Sequence, residues 1–564
     1  MRLLLSSLIL VVAFHTSAQS TARKVYDVLQ TNCANGYCHS SASQAGGLDL
    51  EGSGGNLNAR IQDVYNNLYD VNPNNSEAAS KGHKLIYPGD PYRSYLFRKI
   101  NNGLSPDVVL DASEGSDMPI GGSMTDEDIE LVRQWILYGS PLGGDVVNTT
   151  LIDDFYQNGG IESVPNPPAP PANGFQVHFG PFFLEAGGER EHFLKYETNL
   201  PEDVEVTEVS TTMGDYSHHF ITYKYIDFNG NPTFGQSTPA GLRGIDNESF
   251  SVVATEQYTN ALTLPDGTAF EFWQDMVFDL NSHYINYDLN QPMKCEAYIN
   301  FETQPSGTAT QIMYSSMAFN LNIDIPNDGQ ATVIDFPVTL PTLLSTAGAG
   351  SDDEIFFWAM VGHTHKYGED FDMYVTPSPF LDTETYQQYD AGCANGIPGC
   401  SVENYDYAHL PFRFFDNFLP MTDGDFLLTR TTWINDGPED VEFGLTSDDE
   451  MQLYTTYFLK DTSGLDMGNP TSIGEPIEQP NNQFIVYPNP SHEELFFGLM
   501  DSDFDAVAIE VYDSKGSQKL QQAFNPRTST VGVNVSAWTP GIYFYRAIDQ
   551  VTGNMIQEGQ IAVE

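Results

Sequence analysis

The stretch Ile355-Phe356-Phe357-Trp358-Ala359-Met360-Val361-Gly362-His363-Thr364-His365 is an apolar run of strand length that ends in two histidines one residue apart. Residues i and i+2 of a β-strand share a face, so His363 and His365 can present both imidazoles to one metal ion. The run lies in a long segment, 174–463, rich in Tyr, Phe, Thr and Val and broken at short intervals by Gly, Pro, Asn and Asp. That pattern predicts antiparallel β-sandwiches.

Three further words in this segment carry metal-ligand side chains. Ser447-Asp448-Asp449-Glu450-Met451 leads into a strand-like stretch, 451–459, from which the Met451 thioether can approach the same ion as His363 and His365. Ser217-His218-His219-Phe220 holds two adjacent histidines, which a regular pleat points apart. They can share a metal only at a strand end or a bulge, with His283 closing the site. Imidazole nitrogen suits copper(II), and a soft thioether favours copper(I).

A paired His-His, a lone His, a His-x-His and a late Asp-Glu-Met, in that order, resemble the type II, ascorbate-dependent copper monooxygenases. This is the family of the peptidylglycine α-hydroxylating and dopamine β-monooxygenases. The resemblance implies two all-β, jelly-roll-like sandwich domains, 174–310 and 311–463, facing a solvent cleft, and two copper ions per chain. It assigns His218, His219 and His283 to an electron-storing copper. It assigns His363, His365 and Met451 to the oxygen-binding, catalytic copper. The implied reaction is hydroxylation of a C–H bond in a small organic substrate by O2, with ascorbate or a redox protein as electron donor. Two positions depart from the pattern. Val361 stands where the peptide-hydroxylating members carry the Arg that binds the substrate carboxylate, and Gln452 stands where their Met is followed by Cys. Peptidylglycine is therefore a poor match as substrate, and part of the family's disulfide framework is missing. His178, His192 and His409 match no ligand position and read as structural or surface residues.

The segment 20–145 has helical signals. Thr125 precedes an acidic first turn, Asp126-Glu127-Asp128, and then Ile129, Val132, Trp135 and Ile136 follow at helical spacing. Ahead of it, a short predicted helix over 23–31 leads into Cys33-Ala34-Asn35-Gly36-Tyr37-Cys38-His39. This resembles a c-type haem attachment site with four spacer residues instead of the usual two. With Gly46-Gly47-Leu48-Asp49-Leu50, Pro88-Gly89-Asp90-Pro91 and Met118-Pro119, the segment resembles small bacterial cytochrome c domains. That implies a small all-α domain with one covalent haem on Cys33 and Cys38. His39 would be one axial ligand and Met118 the other, the Met/His pair usual in cytochromes c. Met124 and His83 compete for the Met118 position, and Trp135 is suited to pack on the macrocycle. A Cys33–Cys38 disulfide is the other reading of the pair.

The remaining segments concern export. Arg2, the apolar run 3–14 and Thr16-Ser17-Ala18 before Gln19 read as a secretory signal over 1–18. No later segment is long and apolar enough to span a bilayer. Of the five cysteines, Cys393 and Cys400 sit in a Gly/Pro loop and can form a disulfide in an oxidising compartment. Cys295 is left as a buried thiol. The net charge of −54, from 77 acidic and 23 basic residues, argues against nucleic acid or an anionic membrane as partner. The acidic residues are spread evenly, as on a solvated surface.

Two spacers are expected, 146–173 with its proline run and 464–483. The first predicts a semi-rigid link that lets the helical domain dock on the copper domains without fixing their distance, which leaves electron transfer between molecules open. The last segment, 484–564, alternates as a small β-sandwich. Phe484-Ile485-Val486-Tyr487-Pro488-Asn489-Pro490 and Thr539-Pro540-Gly541-Ile542-Tyr543-Phe544 resemble the sorting domain of type IX secretion substrates in Bacteroidetes. The resemblance implies delivery by that machinery to the medium or the cell surface, with the tail removed or exchanged for an anchor. Together these readings predict an exported dicopper monooxygenase fused to a cytochrome c. The contrasting expectation is a haem/copper redox carrier, or a copper-binding surface protein, without hydroxylase chemistry.

Overall fold

The structure is a computed structural model. It describes residues 19–564 except 102, 109, 215–216, 226–237, 240–248, 256–259, 382–386, 392–406, 408–411, 445–447, 466–483, 488–493, 500–506, 514–517, 525–530, 540, 551–554 and 564. The expected signal segment, Cys393, Cys400, His409 and most of the second spacer lie outside the described residues, as does the side chain of His218. The protein is β-rich, with several sheets and seven α-helices among the described residues. None of these helices is long and apolar enough to cross a membrane. The chain divides into two compact units, one formed by 1–315 with 346–349, the other by 316–345 with 350–564.

The first unit opens with helices. Thr21–Asn32 is capped by the Ser20 hydroxyl, which accepts from the Arg23 N–H, and its face Ala22, Val25, Leu29 and Cys33 is buried. Asp126–Leu137 starts where the sequence predicts, with the Thr125 hydroxyl accepting from the Asp128 N–H and three acidic residues in the first turn. The two helices and Leu57–Leu68 close on one apolar core containing Val64, Leu68, Ile129, Val132, Trp135 and Ile136. Each such aliphatic side chain contributes roughly 1.5–3 kcal/mol by leaving water.

Behind the helices lie two sheets. In one, Val277–Ile285 runs antiparallel between Glu189–Glu197 and Ser217–Tyr225. In the other, Met293–Pro305 runs antiparallel between Gly174–Leu184 and Val204–Thr212. Their inner faces meet through aromatic side chains, with Phe278 and Phe301 ring centroids 5.5 Å apart and Phe179 and Phe220 6.0 Å apart.

The segment 146–173, expected as a semi-rigid spacer, opens with a helix and a short strand that pack on the neighbouring elements. Thr149–Asn158 is a helix that packs on the Trp135 helix and on the Gly174–Leu184 strand. Ile161–Glu162 pairs in parallel with Met293 and Lys294, and the Pro168 and Ala169 carbonyls accept from Gln176 and Asn300. The proline run that follows, 165–171, has neither helix nor strand and is tied to the neighbouring sheet by these side-chain hydrogen bonds.

The helical domain is thus fixed on the first pair of sheets. The His178 ring stacks on Tyr298 at a centroid distance of 4.2 Å and meets the tilted ring of Tyr92 at 4.8 Å. His178 Nε2 lies 3.0 Å from Glu296 Oε2, which also accepts from the Tyr298 hydroxyl at 2.6 Å. Burial alone raises the Glu296 pKa, but His178, Lys294 and Tyr298 outweigh it and hold the carboxyl down to about 2. Glu130 and Arg133 form a fully buried ion pair, and Gln134 of the same helix donates to the Pro181 carbonyl at 2.6 Å. Buried charges persist only where they are paired and hydrogen-bonded in this way.

His192 is 1% exposed, 4.0 Å ring to ring from Phe182 and 6.2 Å from Tyr138. Both His178 and His192 are structural residues of this junction. Burial, assisted by Arg190, pushes the His192 imidazole down to about 3. Below its ordinary pKa near 6.5 the unfolded chain therefore takes up a proton that the folded chain refuses. Stability falls by about 1.4 kcal/mol per pH unit from pH 6.5 towards 3 through this group. Urea unfolding of the first unit as a function of pH should show that slope, and His192→Gln should remove it.

In the second unit, Glu354–His363 runs antiparallel between Arg413–Thr422 and Leu453–Leu459. A further sheet orders Ala331–Thr339, Phe426–Ile434, Gly368–Thr376 and Gln387–Asp390. The tail strands, from Phe484–Tyr487 to Met555–Val563, form a three-stranded and a four-stranded sheet. Their core contains Leu495, Phe497, Val511, Tyr545 and Ile561.

Candidate metal centres

His219 and His283 face each other across neighbouring antiparallel strands, in register, with ring centroids 5.1 Å apart. The next pair is Tyr284 with Ser217, so His218 is the extra residue of a bulge opposite His283. This is the backbone device that two adjacent histidines need in order to serve one site, since a bulge re-aims a side chain. His283 Nε2 is 2.8 Å from Glu189 Oε1, and His219 Nε2 is 3.9 Å from Glu191 Oε1. A carboxylate on one imidazole nitrogen is the usual outer support of a metal-bound histidine, and it directs a metal to the other nitrogen, Nδ1.

His363 ends its strand and His365 follows two residues later, with ring centroids 5.1 Å apart. Both are buried. His363 pairs with Leu453, and this is the last pair of the ladder, so His365 and Met451 each lie two residues beyond it. The strand itself begins at Leu453 rather than at Met451 as expected, so Met451 stands in the approach to it, half-buried. His365 Nδ1 lies 3.1 Å from the Asp449 carbonyl, which makes Nδ1 the protonated nitrogen and leaves metal binding to Nε2.

Glu450, within the Asp-Glu-Met word, was given no role of its own by the sequence reading. Its buried carboxylate accepts from the backbone N–H of His365 at 3.0 Å, Tyr367 at 2.7 Å and Met451 at 3.2 Å, and from Trp433 Nε1 at 2.8 Å. One side chain thus fixes the backbone on both sides of the His-x-His and Met451 pair. Burial pushes its pKa up to about 7, against the pull of those four donors. The sequence also missed an acidic trio in the second unit, Asp370, Asp372 and Asp390, whose oxygens lie within 4.8 Å of one another. Burial, with Asp370 alongside, pushes Asp372 up to about 7.

In the helical domain, Cys33 closes the first helix on the same face as Ala22, Val25 and Leu29. The Cys38 N–H donates to the Asn35 carbonyl at 3.1 Å and the His39 N–H to the Cys33 carbonyl at 3.2 Å, so the four-residue spacer is a compact turn. Cys33, Cys38 and Cys295 are free thiols, and burial, with Cys38 adding to it, pushes Cys33 up to about 11. His39 Nδ1 is 3.4 Å from the Leu48 carbonyl. A small apolar pocket lined by Val25, Leu29, Val64 and Tyr65 lies between the first two helices and Trp135. Cys33, Met124 and Trp135 share one core, with Met118 and Leu48 packed against it. His83 Nε2 instead lies 3.4 Å from buried Glu114.

Residues 485–558 match the family described as the secretion system C-terminal sorting domain. The tail is a type IX secretion sorting domain. The protein is exported, and is secreted or attached to the cell surface through type IX secretion. The sorting domain makes that machinery a partner of the chain.

No curated protein matches the chain. Similar solved structures include a β-glucuronidase from Ruminococcus gnavus, with 8% identity, 41% of this chain and 34% of that one covered, and a TM-score of 0.12. A β-glucuronidase from Parabacteroides merdae has 10% identity, coverage of 47% and 31%, and a TM-score of 0.14. A β-1,2-glucanase from Parabacteroides distasonis has 7% identity, coverage of 44% and 37%, and a TM-score of 0.13. The chain spans about a third of the length of these enzymes, and scores this low carry no argument about fold or activity.

Proposed function

We propose that the protein is a dicopper monooxygenase delivered by type IX secretion, hydroxylating a C–H bond of a small organic substrate with O2. In this reading 174–310 and 311–463 are jelly-roll-like copper domains, and 20–145 is a cytochrome c-like domain. The observation that carries it is the geometry at His363, His365 and Met451. Two buried imidazoles stand 5.1 Å apart, one with its Nδ1 at a backbone carbonyl, and Met451 stands two residues ahead of the strand that pairs with the His363 strand. Two nitrogens and one thioether suit an ion that alternates between copper(II) and copper(I).

His219 and His283, with His218 at the bulge, suit a second copper as an all-nitrogen set, and the carboxylates of Glu189 and Glu191 would orient the rings. Bound copper would supply one-electron redox chemistry and activation of O2. The protein's own part is to hold the imidazoles and thioether in place through Glu450 and to present the substrate beside them. Cys33, Cys38, His39 and Met118 fit one covalent haem. Two reduced thiols precede a histidine whose Nδ1 lies 3.4 Å from a carbonyl, and Cys33 shares its apolar core with Trp135, with Met118 packed against it. That haem, or ascorbate or a redox protein reaching the coppers directly, would supply electrons.

Metal analysis tests the reading. Purified protein should hold two copper ions per chain, and His363→Ala should hold one, with the electron paramagnetic resonance signal of the all-nitrogen site retained. Zinc at both sites, or loss of both coppers in the variant, would count against it. A redox carrier without hydroxylase chemistry would bind the same metals but consume no O2 with any C–H substrate.

A further inference from the structure

We propose that the helical domain passes its electron to the His218/His219/His283 site within the same chain, along a packed line of aromatic side chains at the junction. This rests on the haem and copper assignments above and adds the route. Trp135 lines the apolar pocket beside the first helix and shares its core with Cys33. One turn further along, Tyr138 caps the same helix and meets the His192 ring at 6.2 Å. His192 packs on Phe182 at 4.0 Å, and Phe182 on Tyr284 at 5.7 Å. Tyr284 is fully buried and is the chain neighbour of His283. A second connection is shorter still, since His192 pairs with Ser282 and Glu191 with His283 across adjacent strands.

Electron transfer between buried centres follows covalent bonds and close contacts, and decays steeply across gaps. The junction supplies ring contacts from Tyr138 through His192 and Phe182 to Tyr284, and it is held by the Gln134–Pro181 hydrogen bond and by the contacts of His178 with Tyr92 and Tyr298. The expected semi-rigid spacer, which does not fix the distance between domains, would have left transfer between molecules open. The docked helix at Thr149–Asn158 and the strand at Ile161–Glu162 make transfer within one chain the direct course. The step balances as one electron leaving ferrous haem, which becomes ferric, and one cupric ion becoming cuprous, with no proton exchanged.

The test uses full-length protein whose haem and copper content has first been read by absorption and metal analysis. The haem is reduced by a light flash without O2 or substrate, and its reoxidation is followed in the Soret band. The expected result is a first-order decay whose rate constant does not change with protein concentration, with loss of the cupric signal of the all-nitrogen site. Copper-free protein should lose this phase. Tyr138→Leu should slow it severalfold with the haem spectrum unchanged, and His192→Leu should do the same. A rate proportional to protein concentration in the fully loaded wild-type protein overturns the route alone, and that measurement needs no variant. Arrival of the electron at the Met451 copper first, or an unchanged rate in a folded Tyr138→Leu variant, also overturns it. Purified protein without haem or without copper overturns the cofactor assignments, and the route with them.

Discussion

Met451→His is expected to keep two copper ions per chain and to lose all measurable hydroxylation. The position is set by its backbone, since the Met451 N–H donates to Glu450 Oε2 at 3.2 Å and the next strand begins at Leu453. An imidazole placed there replaces a thioether from the same anchor point and remains a good copper ligand. What changes is the balance between the two oxidation states. A thioether is soft and favours copper(I), the form that meets O2, whereas a third nitrogen favours copper(II). Metal analysis, far-UV circular dichroism and O2 consumption, measured together, separate loss of ligand softness from loss of fold. Near-normal turnover in a fully loaded variant would show that the thioether is dispensable and would remove the main reason for assigning O2 to this site.

Cys38→Ser is expected to lose covalent haem and all activity with a protein electron donor, and to keep activity with ascorbate. Cys38 lies in the turn that brings His39 back to the end of the first helix, where the His39 N–H meets the Cys33 carbonyl at 3.2 Å. A serine hydroxyl supports the same turn but forms no thioether bond to a haem vinyl group. Haem staining after denaturing electrophoresis reads the attachment, and O2 consumption with each donor reads the consequence. Full activity of the variant with every donor would make 20–145 a separate carrier or no haem domain at all. Cys33→Ser is a less clean test, because Cys33 is buried in the helical core and its replacement puts a hydroxyl there.

Local words were legible because their physics is local. Thr125 with its acidic turn predicts the helix that begins at Asp126, and the helix begins there. The apolar run before His363 predicts a strand, and Glu354–His363 is one. The tail's words identify a sorting domain that the family match bears out. The order of histidines and methionine nominated ligands but could not place them.

Placement came from tertiary structure, because it depends on register between residues far apart in the chain. The bulge at His218 exists only in the pairing of Ser217–Tyr225 with Val277–Ile285. Glu450 reads as one more acidic residue until His365, Tyr367, Met451 and Trp433 all point a donor at it. The prolines of 146–173 read as a spacer because each favours an extended backbone by itself. Packing of Thr149–Asn158 and pairing of Ile161 with Met293, ahead of the prolines, tie the segment to the sheet. His192 and His178 carry no ligand pattern in the sequence. Only the burial of one against Phe182 and Tyr138, and the contacts of the other with Tyr92 and Tyr298, show that they join the helical domain to the sheets. The sequence by itself determined where strands and helices begin, since that follows from neighbours a few residues away, and it nominated the side chains proposed as ligands. Which of those side chains meet, and that the helical domain is held against the His283 sheet, was decided by long-range contacts that no local pattern encodes.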